Sequence, residues 1–395
     1  MDTDTRFQRP LPIVERLWLA ADLIAPPYAN QVVVEGRGAI DQGRLEDAVD
    51  KASQANPGSR LVLKGVLRGC YWLDSGVRPP IRSLKDVAWD GRGSDGAPFL
   101  MERLPYKGST CEVLYLESGP VTRLVFRSNH GAMDGMGTVY WAEDVFRILR
   151  GEDPVGSHED PPGMVAFLRQ FTELTRKMPP VNSIAPTGSA RGYQSGTRWK
   201  RLTFTGSFTK VLGKVGWALA QSAWQYGPGP VLLAIPVDLR QRQPGLRSTN
   251  NMSIALYVEV RPQDGPEDIA REVKRQLDEK YDCMLFEGGT VVDLIPIALL
   301  GLGLKLITLS WHHKGAYSSS TLLSNLGRMN RDHFHGAGFQ ADTVFLIPPR
   351  VDGIPSFVVL TGCADRLEVT VSLPNVLATD GRLERLLEEI SQVLQ

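Results

Sequence analysis

Ser128-Asn129-His130-Gly131-Ala132-Met133-Asp134-Gly135 is the stretch on which the reading of this chain turns. Just before it, residues 120–128 alternate so that Leu124, Phe126 and Ser128 share one face, the period of a strand. Just after it, residues 137–150 place Val139, Tyr140, Val145, Phe146 and Leu149 at helical spacing, with Gly151 as a stop. A histidine at the end of a strand and ahead of a glycine-containing turn is placed to protrude into a cleft rather than pack in a core. Its ordinary pKa of about 6.5 suits a proton acceptor at neutral pH. Asp134 either orients that imidazole directly or forms an ion pair that fixes the loop. Gly135 permits close backbone approach, and its N–H is a candidate donor to a developing oxyanion.

Outward from this segment the grammar is α/β. Residues 30–36 read as a strand and 43–55 as a helix carrying Leu45, Val49 and Ala52, while residues 113–116 and 120–128 form a hairpin about Glu117-Ser118-Gly119-Pro120. Residues 151–198 are punctuated by Pro154, Pro161-Pro162, Pro179-Pro180 and several glycines, a linker interrupted by a helix over 163–177. Beyond it, 231–237 and 251–260 read as strands, Pro266 opens a helix, 356–361 and 367–371 form a hairpin, and Leu383, Leu386, Leu387 and Ile390 mark a closing amphipathic helix. The expected architecture is two α/β halves of similar length: a lobe over 1–180, a linker over 181–197 and a second lobe over 198–395.

The chain has 395 residues, and its 44 Lys+Arg against 44 Asp+Glu leave no net charge. Without a clustered basic surface a phosphate-backbone binder is not expected, so nucleic acid is not a partner. Cys70, Cys111, Cys283 and Cys363 lie far apart with no CxxC pair and read as reduced, buried thiols. Met1-Asp2-Thr3-Asp4-Thr5-Arg6 is polar and has no apolar run behind it, so a cytoplasmic location is expected. Residues 291–311 are apolar and about long enough to span a bilayer, but carry Asp293, Pro296 and Lys305. A buried or amphipathic helix follows, without stable membrane insertion; a greasy wall beside a lipophilic channel is the functional alternative. His312-His313 and His333-Phe334-His335 read as solvated loop histidines, with no metal site. Gly301-Leu302-Gly303-Leu304 lacks the third glycine of a dinucleotide loop. Trp141, Trp217 and Trp224 read as core or channel lining, and Glu152-Asp153 and Glu159-Asp160 as exposed linker.

The segment 129–135 resembles the His-His-x-x-x-Asp-Gly motif of the superfamily that joins chloramphenicol acetyltransferase, nonribosomal-peptide condensation domains, the plant BAHD acyltransferases and polyketide-associated acyltransferases. The resemblance runs over most of the chain in order. Glu15-Arg16-Leu17-Trp18, the strand 31–36 and Gly43-Arg44-Leu45-Glu46-Asp47-Ala48-Val49 look like the opening of condensation-type proteins. Ala234-Ile235-Pro236-Val237-Asp238-Leu239-Arg240, followed by Asn250-Asn251, looks like the second lobe's first contribution to the site, and Ser324-Asn325-Leu326-Gly327 like a later strand near the acceptor side. The resemblance implies a two-lobed pseudo-dimer of chloramphenicol acetyltransferase-like α/β sandwich subdomains with an active-site tunnel between them.

It further implies a standalone acyltransferase moving an acyl group from a pantetheine thioester, on coenzyme A or a phosphopantetheinyl carrier protein, to a hydroxyl or amine of a small-molecule acceptor. His130 would be the general base. Asp134 would pair with Arg240 to hold the loop, Gly135 would line the site with its N–H, Ser324 would be a side-chain donor beside Asn325, and Asn129 would give support. No tightly bound cofactor is implied, and a monomer is expected. The alternative is a member redirected to cyclisation or rearrangement, or a non-catalytic module that recruits a carrier protein. The sequence departs from the pattern in three places. Asn129 replaces the first histidine, Gly137 stands where condensation domains often have serine, and Thr361-Gly362-Cys363-Ala364-Asp365 replaces the plant family's Asp-Phe-Gly-Trp-Gly.

Overall fold

The alternation around His130 builds the middle of a five-stranded sheet whose two faces are both buried. The computed structural model describes residues 6–157, 163–287 and 292–395. The amino-terminal segment before Arg6, Glu159-Asp160, Pro161-Pro162 and Val291 lie outside the described residues. In the first half the elements are β1 (Gln8–Pro10), α1 (Ile13–Ile24), β2 (Ala29–Arg37), α2 (Gln42–Ala55), β3 (Leu61–Lys64), β4 (Tyr71–Asp74), β5 (Ile81–Lys85), β6 (Cys111–Ser118), β7 (Val121–Asn129), α3 (Gly135–Leu149), α4 (Met164–Arg169) and β8 (Thr175–Arg176). In the second half they are β9 (Thr197–Thr205), α5 (Val211–Gln225), β10 (Val231–Asp238), β11 (Ser253–Val260), α6 (Pro266–Asp278), β12 (Leu285–Phe286), α7 (Ile297–Lys314), β13 (Thr321–Met329), β14 (Gln340–Ile347), β15 (Phe357–Cys363), β16 (Arg366–Pro374) and α8 (Arg382–Leu394).

The first sheet runs β14-β2-β7-β6-β5 and the second β11-β10-β13-β15-β16-β9. In the first, Val32, Val34, Leu124 and Phe126 pack against α2 and α3, through Leu45, Val49, Trp141 and Phe146, whereas Val33 and Val125 face Trp89 and Phe99 on the other side. Each such fully buried side chain contributes about 1.5–3 kcal/mol. In the second sheet Val358, Leu360, Val369 and Val371 pack under α5 and α8, where Leu383, Leu386, Leu387 and Ile390 supply the closing helix's apolar stripe. The architecture is mixed α/β with two lobes, as the residue patterns imply. All four cysteines are free and buried. Trp141 is core, and Trp217 and Trp224 pack edge-on at 6.1 Å.

Five features depart from the sequence reading. β14 leaves the second half of the chain and pairs antiparallel with β2, so the first sheet is completed by residues far beyond the expected lobe boundary. The 181–197 stretch is not a free tether: Ser183 and Tyr317 exchange backbone hydrogen bonds, and Arg191 N–H donates to Val376 O. The helix expected over 163–177 stops at Arg169, where the Thr172 hydroxyl accepts from Leu174 N–H and turns the chain toward the short β8–β12 pair. The apolar run near 291–311 forms α7, in which Gly301 is the one residue fully buried, so it is neither a buried helix nor an amphipathic one. No helix among the described residues is long and apolar enough to cross a membrane. His312 and His313 sit in the last turn of α7 rather than in a loop, with His312 held by Tyr317 and by Asp352 O. His333 faces Glu143, and His335 faces Ala341 O. No cluster of metal-ligating side chains occurs among the described residues.

Candidate active site

β7 ends at Asn129, paired with Ala29 of β2, and the next residue, His130, donates its backbone N–H to Tyr28 O at 3.0 Å. The turn that follows is organised by Asn129 itself. Its side-chain oxygen accepts from Gly131 N–H at 2.9 Å, its amide donates to Leu104 O at 3.2 Å, and its carbonyl accepts from Ala132 N–H at 2.8 Å. The amide thus both donates and accepts at this position. Gly131 packs closely on buried Leu19, which would have to shift for a Cβ, 2.7 Å from its Cδ2.

Asp134 is the N-cap of α3, accepting from Gly137 N–H at 2.7 Å. The same carboxylate takes both arms of Arg240, at 2.9 and 3.1 Å, and accepts Met252 N–H at 2.8 Å. With both oxygens occupied by donors from α3 and the second lobe, Asp134 does not hydrogen-bond the imidazole; of the two readings of this residue, the ion pair is the one formed. Arg240, in the turn after β10, is buried and also donates to Asp238, Ser248 O and Asn250 O. Burial opposes its charge, but the Asp134 and Asp238 carboxylates outweigh burial and raise its pKa above the ordinary arginine value. It is no member of a surface patch: Arg242 pairs with Asp282, and Arg247 with Asp144.

The His130 ring lies between Trp18 and Tyr28, with centroids at 4.3 and 5.4 Å. Burial lowers its pKa from the usual histidine value, opposed in part by its own backbone carbonyl, by Asp134 and by the Asn251 side chain. Nδ1 of His130 and Oδ1 of Asn251 are both buried and without a hydrogen-bond partner among the described residues. The Asn251 amide group donates instead to Glu15 Oε1 at 2.9 Å and Gly131 O at 3.3 Å. Buried Glu15 is held in turn by Arg9 and by the Trp72 indole N–H, each at 2.7 Å. Because two acceptors face the NH2 end of Asn251, its oxygen is left as the end not engaged by Glu15 or Gly131.

His130, Gly135 and Arg240 line a cavity of about 1690 Å³ that also takes in Ser324 and Asn325 of β13. Asp134 is also part of this wall, whereas Asn129 lies behind it and does not line the cavity. Gly135 is the first residue of α3, so its N–H sits at the positive end of that helix. Asn325 has its side-chain oxygen taken by Gly327 N–H at 3.1 Å and also borders a second, smaller cavity. Away from His130 the large cavity is walled mainly by apolar residues, among them Ile235, Ile254, Leu277, Leu285 and Phe286. Glu15, Trp18 and Asn251 belong to this site although the sequence alone assigns them no role in it. For Glu15 the only local signal is a carboxylate in the otherwise largely apolar start of α1, and Asn251, in the polar run 248–251, carries none.

No family model matches the sequence, and no curated protein matches it. Solved structures do. The first condensation domain of the calcium-dependent antibiotic synthetase, in complex with a substrate analogue, superposes with a TM-score of 0.69 at 15% identity, covering 98% of this chain and 95% of its own. Polyketide synthase associated protein 5 from Mycobacterium tuberculosis does so at 0.65 and 14%, covering 98% and 97%. A mutant starter condensation domain of rhizomide synthetase, in complex with C8-CoA, gives 0.65 and 13%, covering 98% and 95%. Over nearly its whole length, then, this chain has the fold of the condensation domains of nonribosomal-peptide and polyketide systems.

Proposed function

We propose that the chain is an acyltransferase that moves an acyl group from a pantetheine thioester, on coenzyme A or a carrier protein, to a hydroxyl or amine. His130 Nε2 takes the proton of the acceptor as its oxygen or nitrogen attacks the thioester carbonyl. The carbon–sulfur bond then breaks, and the departing sulfur recovers that proton from the imidazolium. Gly135 N–H, with the Ser324 hydroxyl as a second donor, faces the oxyanion. The reaction uses the Nδ1–H tautomer, for which the unengaged Asn251 Oδ1 is the acceptor at hand, and this leaves the Nε2 lone pair toward the reactants. The Asp134–Arg240 pair holds the loop rather than moving protons.

The observation that carries this reading is a buried imidazole at the wall of a cavity large enough for two substrates. Pockets for single ligands are typically about 300–1000 Å³, and this one is about 1690 Å³. Its apolar lining fits a hydrocarbon acyl group. Positioning two bound reactants supplies the larger share of rate, and general-base help about 10²- to 10⁴-fold. The deciding experiment is free-thiol release from acyl-coenzyme A and acyl-carrier donors offered with mixed acceptors, products read by mass spectrometry, with His130→Ala in parallel. Loss of turnover by about 10²-fold or more supports the general base. Undiminished turnover removes it, and carrier binding with no turnover from any donor favours the recruiting module.

A further inference from the structure

α7 presents an exposed row of leucines. Leu299, Leu302, Leu306 and Leu309 follow one another at intervals of three, four and three, and each is more than half exposed. Gly301, on the opposite side, lets the helix lie close on α1: a Cβ there would sit 3.1 Å from Ala20 O. The helix contains no aspartate or glutamate, while Lys305, His313 and Lys314 are exposed on it. A second apolar projection stands beside its head. The tip of the β3–β4 hairpin exposes Val66 and Leu67, flanked by exposed Lys64 and Arg68. The buried Arg16 guanidinium joins the two projections, donating to Leu67 O and to Ile295 O. Val14 of α1 is both exposed and part of the cavity wall, so this surface runs up to the cavity rim.

We propose that this face docks on an anionic phospholipid bilayer, the leucines and the hairpin tip entering the acyl boundary and the surrounding Lys and Arg meeting the headgroups. A contiguous exposed apolar patch marks an interaction site, and apolar projections accompanied by exposed Lys64, Lys305 and Lys314 fit an interface that is greasy inside and negative at its surface. A second copy fits poorly, because a two-fold contact would set each patch of cations against itself. The docked orientation opens the cavity rim toward lipid. It does not depend on the acyl-transfer reading.

The test is co-sedimentation of the full chain with vesicles of phosphatidylcholine alone and of phosphatidylcholine mixed with phosphatidylglycerol. Leu302→Glu/Leu306→Glu and Lys305→Glu/Lys314→Glu are measured alongside, thermal melts check folding, and light scattering without lipid gives the mass. The parent is expected to pellet with the mixed vesicles and not with the neutral ones. The leucine variant should lose binding. The lysine variant should lose about fivefold or more per lysine, and both should keep parental melting and thiol release from a soluble short-chain donor. Failure of the parent to pellet, equal pelleting with neutral vesicles, or a lipid-free dimer that the leucine variant dissociates each overturns the proposal. Absence of turnover in any soluble assay bears on the acyl-transfer reading and leaves vesicle binding readable.

Discussion

Breaking the Asp134–Arg240 pair should cost stability as well as activity, and the structure sets the size of the effect. The pair is bidentate, and both side chains are at most 5% exposed. Removing one partner of such a buried pair costs about 3–5 kcal/mol, because the other charge stays behind without compensation. In Asp134→Ala the stranded arginine still has Asp238 at 2.8 Å, which reduces that figure, but α3 loses its N-cap, worth about 1 kcal/mol. Met252 N–H also loses its acceptor. The two corrections nearly offset each other, leaving an expected loss of about 3–5 kcal/mol. Arg240→Ala should lose a similar amount, since Asp134 then keeps only two backbone donors. The double variant should lose less than the two singles together, by a coupling energy of about 2–3 kcal/mol. Urea denaturation of the parent, both singles and the double gives all four numbers, and thiol release measured on the same samples tells whether activity falls with loop order. Single variants within about 0.5 kcal/mol of the parent, or a coupling below that, would refute the reasoning that this pair clamps the motif to the second lobe.

Burial of the His130 imidazole, which lowers its pKa, fixes a sign with pH. The folded state binds fewer protons than the unfolded chain, so the His130 contribution to stability is full above the unfolded value of about 6.5 and is lost as pH falls through the lowered folded value; His130→Gln should flatten that part of a denaturation-versus-pH series. The acid limb of kcat/KM should likewise fall below about 6.5. Asn251→Ala should lower kcat by about 10- to 100-fold and move this limb to still lower pH, because the amide raises the imidazole pKa; a purely structural amide would leave the limb in place. Gly137→Ser, which restores the residue common in condensation domains, should destabilise by about 1–3 kcal/mol in thermal melts, since its Cβ would lie 2.5 Å from Thr249 O.

That glycine also shows how far the sequence could be read. Near His130 every signal is local: alternation in β7, an N-cap aspartate, helical spacing in α3. Those elements were legible because each depends on neighbours a few residues away. Glu15 and Asn251 are 236 residues apart in the chain, and nothing in either stretch announces that they meet beside the imidazole. Gly137 reads as a departure from a pattern until Thr249 is seen pressed against it. For α7, an apolar run specifies a helix but not what covers it, and the expectation of burial failed because only its glycine side meets α1. β14 could be recognised as a strand, yet its partner is fixed by a long-range choice of sheet edge that alternation does not encode.

β14 carries a consequence for handling the protein. A cut in the 181–197 stretch would not release two independent folding units, because the amino-terminal piece would keep β2 with the edge meant for β14 bare, an invitation to adhesion between copies. Co-expressed fragments should recover solubility only when the carboxyl-terminal piece lends that ribbon back, since β14 stitches the two halves of the chain into one sheet.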